Sequence, residues 1–257
     1  MSDSVLLEAI DLEVRFGGVV AVDGVSLSVP ARQLVGLIGP NGAGKTTTID
    51  ALTGFVAHRG TIRLATGTEP DQAERIDDLA PHERARRGLV RTWQSLELFD
   101  DLTVRENCEV AAVPERLGAM VRDAVRPRRA VDLAVVGDAL DLLGLSGVAD
   151  RRPTELSLGQ RKLVAVARAL AQRPRVLLLD EPAAGLDSTE SLELGARLRS
   201  LLDLDLSILL VDHDMGLVLT VCDHVHVLDF GRVIADGPPA AIRTNPQVIE
   251  AYLGASA

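Results

Sequence analysis

Gly39-Pro-Asn-Gly-Ala-Gly-Lys45-Thr46 fits the spacing GxxxxGK[ST]. Each residue type has a reason to be there. Glycines let backbone N–H groups turn inward around phosphate oxygens, and the helix that follows offers them its positive end. Gly39, Pro40, Asn41, Gly42, Ala43 and Gly44 are therefore candidate phosphate contacts. Lys45 is a point charge for β- and γ-phosphates, Thr46 a hydroxyl for Mg²⁺, and Thr47 a donor to the α-phosphate. The competing reading, a chance glycine-rich turn, loses ground because the apolar run Leu34–Ile38 comes before the loop and a helical pattern, Thr46–Leu52, after it. Strand, glycine loop and helix form the context a phosphate-binding loop requires.

A second apolar run, Val176–Leu179, ends in Asp180-Glu181. Ligands bind at strand ends of open parallel sheets. Asp180 is placed to hold Mg²⁺ and Glu181 to polarise an attacking water. Without the glycine loop, two solvated acids at a strand end would be the simpler reading. Ser157-Leu158-Gly159-Gln160 opens a helix running to Ala171. Ser157 is a good helix N-cap, and the same helix start could bind a γ-phosphate through the Ser157 hydroxyl and the Gly159 N–H. Gln94 and His213 say little alone: the first reads as a surface residue, the second as a strand terminator.

These residues need a scaffold. Val5–Phe16 and Val25–Val29 alternate apolar and polar residues as half-buried strands do, and Gly60–Leu64 reads as another strand. Val176–Leu179 and Ile208–Val211 are continuous apolar runs, expected of central parallel strands. Val225–Leu228 and Val233–Ala235 flank Asp229-Phe-Gly-Arg and predict a hairpin, with a short helical tail after it. Thr66–Asp78 reads as a polar surface loop. From about Gly88 to Thr154 strand signals vanish and apolar residues recur at helical spacing, as at Val131, Val135, Leu142 and Leu143. The expectation is an α/β fold, a P-loop NTPase core with a mixed sheet. The core covers 1–87 and 158–257 and carries an inserted α-helical subdomain at about 88–157.

Composition sets bounds. At 257 residues and 47% hydrophobic, the chain can build a sizeable core, and with 2% aromatics that core must be aliphatic. No apolar run approaches the roughly 20 residues that span a bilayer. The start Met1-Ser-Asp-Ser lacks the pattern of a signal peptide. Cys108 and Cys222 show no metal spacing and are expected to be reduced thiols. A net charge of −10 disfavours nucleic acid as a partner. The arginine clusters Arg84, Arg86, Arg87, Arg91 and Arg122, Arg126, Arg128, Arg129 are expected on solvated helix faces, the less common alternative being a place against phosphates or acidic partner surfaces.

Together, in this order, these features resemble the ATP-binding cassette (ABC) family over essentially the whole chain. The resemblance implies that Phe16 stacks on adenine and that Gln94 senses Mg²⁺ and links the site to the helical subdomain. It also implies that His213 contacts the γ-phosphate and the attacking water. Two cassettes would pair head to tail, with Ser157, Leu158, Gly159 and Gln160 reaching the ATP of the partner subunit and Asp187 at the dimer interface. ATP and Mg²⁺ are the implied cofactors; Thr46, Gln94 and Asp180 are the implied metal contacts. The chain would sit peripherally on the cytoplasmic face of the cell membrane, docked on integral-membrane permeases.

Ala85–Gln94, Leu98–Asn107, Asp212–Met215 and Asn245–Gly254 resemble the branched-chain amino-acid importer subgroup more narrowly. Members work with a second cassette, identical or sister, and indirectly with a substrate-binding protein. Leu158 departs from the family, which usually has glycine there, and from the subgroup, which often has tyrosine. Thr66–Asp78 is longer than the subgroup's pattern. A non-transport ABC ATPase is disfavoured by the single cassette, the lack of long coiled-coil insertions and the acidic charge, and an exporter cassette by the importer-like segments.

Overall fold

Alternating and continuous apolar runs form two different kinds of sheet in the computed structural model, which describes residues 4–65, 73–112 and 133–254. The strands are β1 (Val5–Phe16), β2 (Val19–Pro30), β3 (Leu34–Ile38), β4 (Arg59–Ala65), β5 (Ala73–Arg75), β6 (Leu89–Thr92), β7 (Val176–Asp180), β8 (Ser207–Val211), β9 (His224–Asp229) and β10 (Arg232–Gly237). The helices are α1 (Lys45–Thr53), α2 (Pro81–Arg86), α3 (Val104–Ala112), α4 (Leu133–Leu142), α5 (Leu158–Leu170), α6 (Ser188–Ser200), α7 (Met215–Val221), α8 (Pro239–Arg243) and α9 (Pro246–Gly254).

The alternating segments make an antiparallel sheet of order β2-β1-β4-β5. The continuous runs make a second sheet of order β10-β9-β3-β8-β7-β6, parallel except for the β9–β10 hairpin. Every residue of β3, β7 and β8 is buried, as expected of strands covered on both faces. One core joins the two sheets across α1: Leu7, Leu12, Val25, Ile62 and Leu64 from the first, Val35, Leu37, Leu178 and Leu209 from the second, and Ile49 and Leu52 between them. Close packing in places demands glycine. A Cβ on Gly36 of β3 would lie 2.6 Å from Val218 of α7, and one on Gly195 of α6 would lie 2.6 Å from Val221.

The chain divides into two units, Met1–Gln94 with Pro174–Ala257, and Ser95–Arg173. These bounds differ from the expected 88 and 157 at both ends. Leu89–Thr92 is a strand, not the start of a helical region, and pairs with β7 at the sheet edge. Four residues interrupted by an arginine carry too little periodicity to be read. Helix α5, expected in the core, packs with α3 and α4 in the second unit. Val104, Cys108, Val136, Leu140 and Val166 form the buried surface of that unit. Asn107 ties its first loop, accepting from the Phe99 N–H at 2.9 Å and donating to the Phe99 and Thr103 carbonyls. Arg168 donates to the Glu97 carbonyl at 2.6 Å.

Other readings also change. Ala73–Arg75, expected within a loop, adds a short strand to β4. Arg84 is buried, not solvated. Its guanidinium donates to the carbonyls of Ala51, Leu52, Asp77 and Leu79 and so satisfies the C-terminal end of α1. Residues 66–72 of the expected loop, Val131, and Arg122, Arg126, Arg128 and Arg129 lie outside the described residues. Both cysteines are free and buried, and burial pushes the Cys108 thiol up to about 12. Among the described residues no helix is long and apolar enough to cross a membrane.

Candidate functional site at the phosphate loop

The loop between β3 and α1 is shaped by contacts on both sides. Gly39 (φ 153°) approaches the β9 backbone so closely that a Cβ would lie 2.2 Å from the Leu228 carbonyl oxygen. Gly44 (φ 100°) is the N-cap of α1, and a Cβ there would lie 2.6 Å from the Ala21 oxygen of β2. The β9–β10 turn props the loop from behind, with the Gly231 N–H donating to Ala43 at 2.9 Å and the Asp23 N–H to Gly231 at 2.8 Å. No side chain caps α1 and its first turn holds no acid. The helix thus presents its N-terminal amides and positive dipole end without competition from its own residues.

Lys45 lies 6% exposed, its ammonium donating to the Gly39 and Pro40 carbonyls at 2.7 and 3.0 Å. Burial lowers its pKa, against the pull of Glu181, Asp180 and Asp212. Thr46 is exposed and Thr47 half-buried at the start of α1; Asn41 and Gly42 are exposed at the tip of the loop. Phe16 ends β1 with its ring half exposed, just before the Gly17-Gly18 turn.

Asp180 and Glu181 end β7 as expected. Asp180 is buried and accepts from Arg91 at 2.7 Å. Arg91 forks to Asp50 of α1 at 2.5 Å, and its guanidinium lies 4.2 Å over the Trp93 ring. Arg91 was expected on a solvated face; it is buried because three partners surround it. Glu181 takes a left-handed φ of 47°, costly for a non-glycine residue, held by its N–H donating to the Val211 carbonyl at 2.7 Å. Gln94 donates to its carboxylate at 2.8 Å, and His213 Nδ1 lies 3.9 Å from it. Gln94, Glu181 and His213 therefore converge beside Asp180, from three different strand ends.

Sequence reasoning missed the groups that hold these in place. Asp212, fully buried, accepts from the N–H groups of Ala183, His213 and Asp214. Its signal was available: an acid directly after an apolar run and directly before the histidine. The C-terminal helix was expected, but not its place beside the loop. Gln247, Glu250 and Ala251 of α9 line a cleft of about 710 Å³ with Pro40, Asn41, Gly42 and Ala43. The Tyr252 phenol faces the Gly39 backbone, and burial raises its pKa to about 12.

The helix start at Ser157 lies in the second unit and is closed by its own side chains. The Ser157 hydroxyl accepts from the Gln160 N–H at 3.2 Å, and the Gln160 side chain accepts from the Ser157 N–H at 3.1 Å. Leu158 and Gly159 are half-buried in its first turn. Asp187 is the exposed N-cap of α6, accepting from the Thr189 and Glu190 N–H groups.

A mixed sheet in which β3 runs into a glycine loop and β7 ends in paired carboxylates is the fold of a P-loop nucleoside triphosphatase. A family model described as ABC transporter matches residues 22–184, and one described as branched-chain amino acid ATP-binding cassette transporter matches residues 232–257. The high-affinity branched-chain amino acid transport ATP-binding protein BraF of Pseudomonas aeruginosa is 41% identical, over 97% of this chain and 98% of that protein. LivG of Escherichia coli (strain K12), which carries the same description, is 38% identical over 97% and 98%. A solved ATP-binding cassette of an ABC transporter in its ADP conformation aligns with a TM-score of 0.84 at 30% identity, over 97% of this chain and 99% of that one. The chain belongs to the ABC transporter family and is an ATP-binding, ATP-hydrolysing cassette of it.

Proposed function

We propose that this cassette powers uptake of branched-chain amino acids, or similarly small polar solutes, through partner permeases on the cytoplasmic face of the cell membrane. The observation that carries the solute class is the near full-length likeness to BraF and LivG, extending into the C-terminal helix that lines the phosphate loop.

In this reading the Phe16 ring stacks on adenine, and the amides from Gly39 to Thr47 enclose the phosphates. Lys45 exchanges its two carbonyl partners for β- and γ-phosphate oxygens. The Thr46 hydroxyl, the Asp180 carboxylate and the Gln94 amide oxygen are hard oxygen donors and fit Mg²⁺, which would neutralise phosphate charge. Glu181 accepts the proton of the attacking water, held on its strained backbone and oriented by Gln94. His213 supports the γ-phosphate. A second cassette, sister or identical, supplies the helix start of Ser157, Leu158, Gly159 and Gln160 to the same nucleotide, with Asp187 at the interface. Two nucleotides then hold the dimer closed until hydrolysis removes the bias. Phe55 and Trp93 stack edge to face at 4.9 Å and are 53% and 39% exposed, an apolar surface for a permease helix next to Gln94 in sequence.

The test is affinity purification of tagged Glu181→Gln from native membranes with mass spectrometry of its companions. A multi-spanning permease, a second cassette and a binding protein are expected; recovery of none of them removes the transport assignment. Uptake of labelled leucine by cells lacking this chain tests the solute. Unchanged uptake overturns the amino-acid reading and leaves the ATPase standing.

A further inference from the structure

At the edge of the six-stranded sheet, far along β9 from the phosphate loop, the register sets Asp236 opposite His226. His224 precedes His226 by two residues, so both rings stand on one face of the strand, with centroids 5.0 Å apart. The His226 side chain is only 4% exposed. Neither of its ring nitrogens has a hydrogen-bond partner among the described residues. The Ser28 backbone lies beside the ring and favours its charged form. Its Nδ1 stands 3.5 Å from Asp236 Oδ1, and His224 Nε2 contacts that same oxygen. One donor atom from each of the three residues falls within 4.8 Å of the others.

A core histidine held for packing finds a partner for its N–H, because leaving it unmet costs about 1–3 kcal/mol. Neither nitrogen of His226 meets one at full hydrogen-bond geometry, and what the ring faces is the Ser28 backbone, a second imidazole and a carboxylate. We propose that His224, His226 and Asp236 form a binding site for a first-row divalent transition-metal cation, Zn²⁺ foremost. Two imidazoles and one carboxylate suit that class, whereas Mg²⁺ and Ca²⁺ favour all-oxygen sets such as the one at Asp180. Donors about 2.0–2.2 Å from a tetrahedral ion lie roughly 3.4 Å from one another. His226 and Asp236 already stand at that spacing. His224 must swing off Asp236 to admit the ion, and those side chains are 36% and 54% exposed. Water takes the fourth position on that side. The ion would staple β9 to β10, the hairpin whose turn props the phosphate loop through Gly231.

The test uses the full chain, stripped with chelator and without nucleotide. Zn²⁺ is titrated by calorimetry and Co²⁺ by visible absorption. One saturable site per chain is expected, with tetrahedral Co²⁺ bands and a melting temperature that rises with Zn²⁺ concentration. His224→Ala and Asp236→Asn lie at solvent-facing positions and should fold. Each should lose more affinity than the roughly ten- to hundredfold that follows loss of a residue merely supporting a metal ligand. Asp180→Asn should bind Zn²⁺ as the wild type does. Absence of a one-to-one site in the wild type overturns the proposal, as does undiminished binding in His224→Ala and Asp236→Asn. Loss of binding in Asp180→Asn would place the ion at the nucleotide site and overturn it equally.

Discussion

Two helix starts carry sequence signals for phosphate, and they are built in opposite ways. Helix α1 begins after a left-handed glycine, with no side-chain cap and no acid in its first turn. Helix α5 begins with a complete capping box, Ser157 and Gln160 each bonding the other's backbone. The first meets no capping side chain at all; the second ties up the Gln160 N–H and the Ser157 N–H with its own side chains. An anion at α1 meets uncapped amides, while one at Ser157 meets a hydroxyl that already accepts from the Gln160 N–H and keeps its own O–H to donate. The difference teaches that the phosphate loop is prepared within one chain.

The largest expected effect lies on the open side of that comparison. Glu181→Gln should lower ATP turnover by about 10²–10⁴-fold while nucleotide binding persists, because the amide keeps the Gln94 contact but cannot accept a proton. Steady-state hydrolysis with a binding assay on the same sample checks it, and wild-type turnover would reject the base assignment. Next comes Arg91→Leu. Removing one partner of a buried charge pair costs about 3–5 kcal/mol, toward the lower end here because Asp50 keeps a quarter of its side chain in water. A fall in melting temperature of roughly 6–20 °C is expected by calorimetry. A drop of under a degree would mean that Asp180 needs no partner when free of nucleotide.

These two sites differ in how far they could be read beforehand. The glycine loop was legible because its chemistry is backbone chemistry: Gly39 and Gly44 stand where any Cβ would strike a carbonyl. The buried strands β3, β7 and β8 were legible because covering both faces leaves an unbroken apolar run. Arg84 and Arg91 were not, since a cluster of arginines looks solvated until the carbonyls and carboxylates around it are known. Strand β6 was hidden for a related reason: Arg91 breaks its apolar run, and only the pairing with β7 makes it a strand. The convergence of Gln94, Glu181 and His213 required the sheet order, which puts β6, β7 and β8 side by side.

Lys45→Ala should follow in size. A hydrogen bond to a charged group contributes about 1.5–3 kcal/mol, so ATP affinity should fall roughly 10–150-fold. Equilibrium titration with a fluorescent ATP analogue measures it, and unchanged affinity would undercut the open-helix side of the comparison. The fold should survive, because Lys45 contacts only the loop's own carbonyls.

The smallest effect decides the closed side. Ser157→Ala removes the cap of α5 and should cost about 1 kcal/mol of stability. Ser157→Asn replaces one good N-cap by another and should leave the melting temperature within a degree or so of wild type, since the two residues rank nearly equally there. If the hydroxyl serves only its own helix, turnover in Ser157→Asn should match wild type. If it reaches the partner's nucleotide, both variants should lose turnover alike although only Ser157→Ala loses stability. The expected result is the second, because the capping box leaves the hydroxyl its proton to donate: Ser157 accepts from the Gln160 N–H and so keeps its own O–H for a phosphate oxygen.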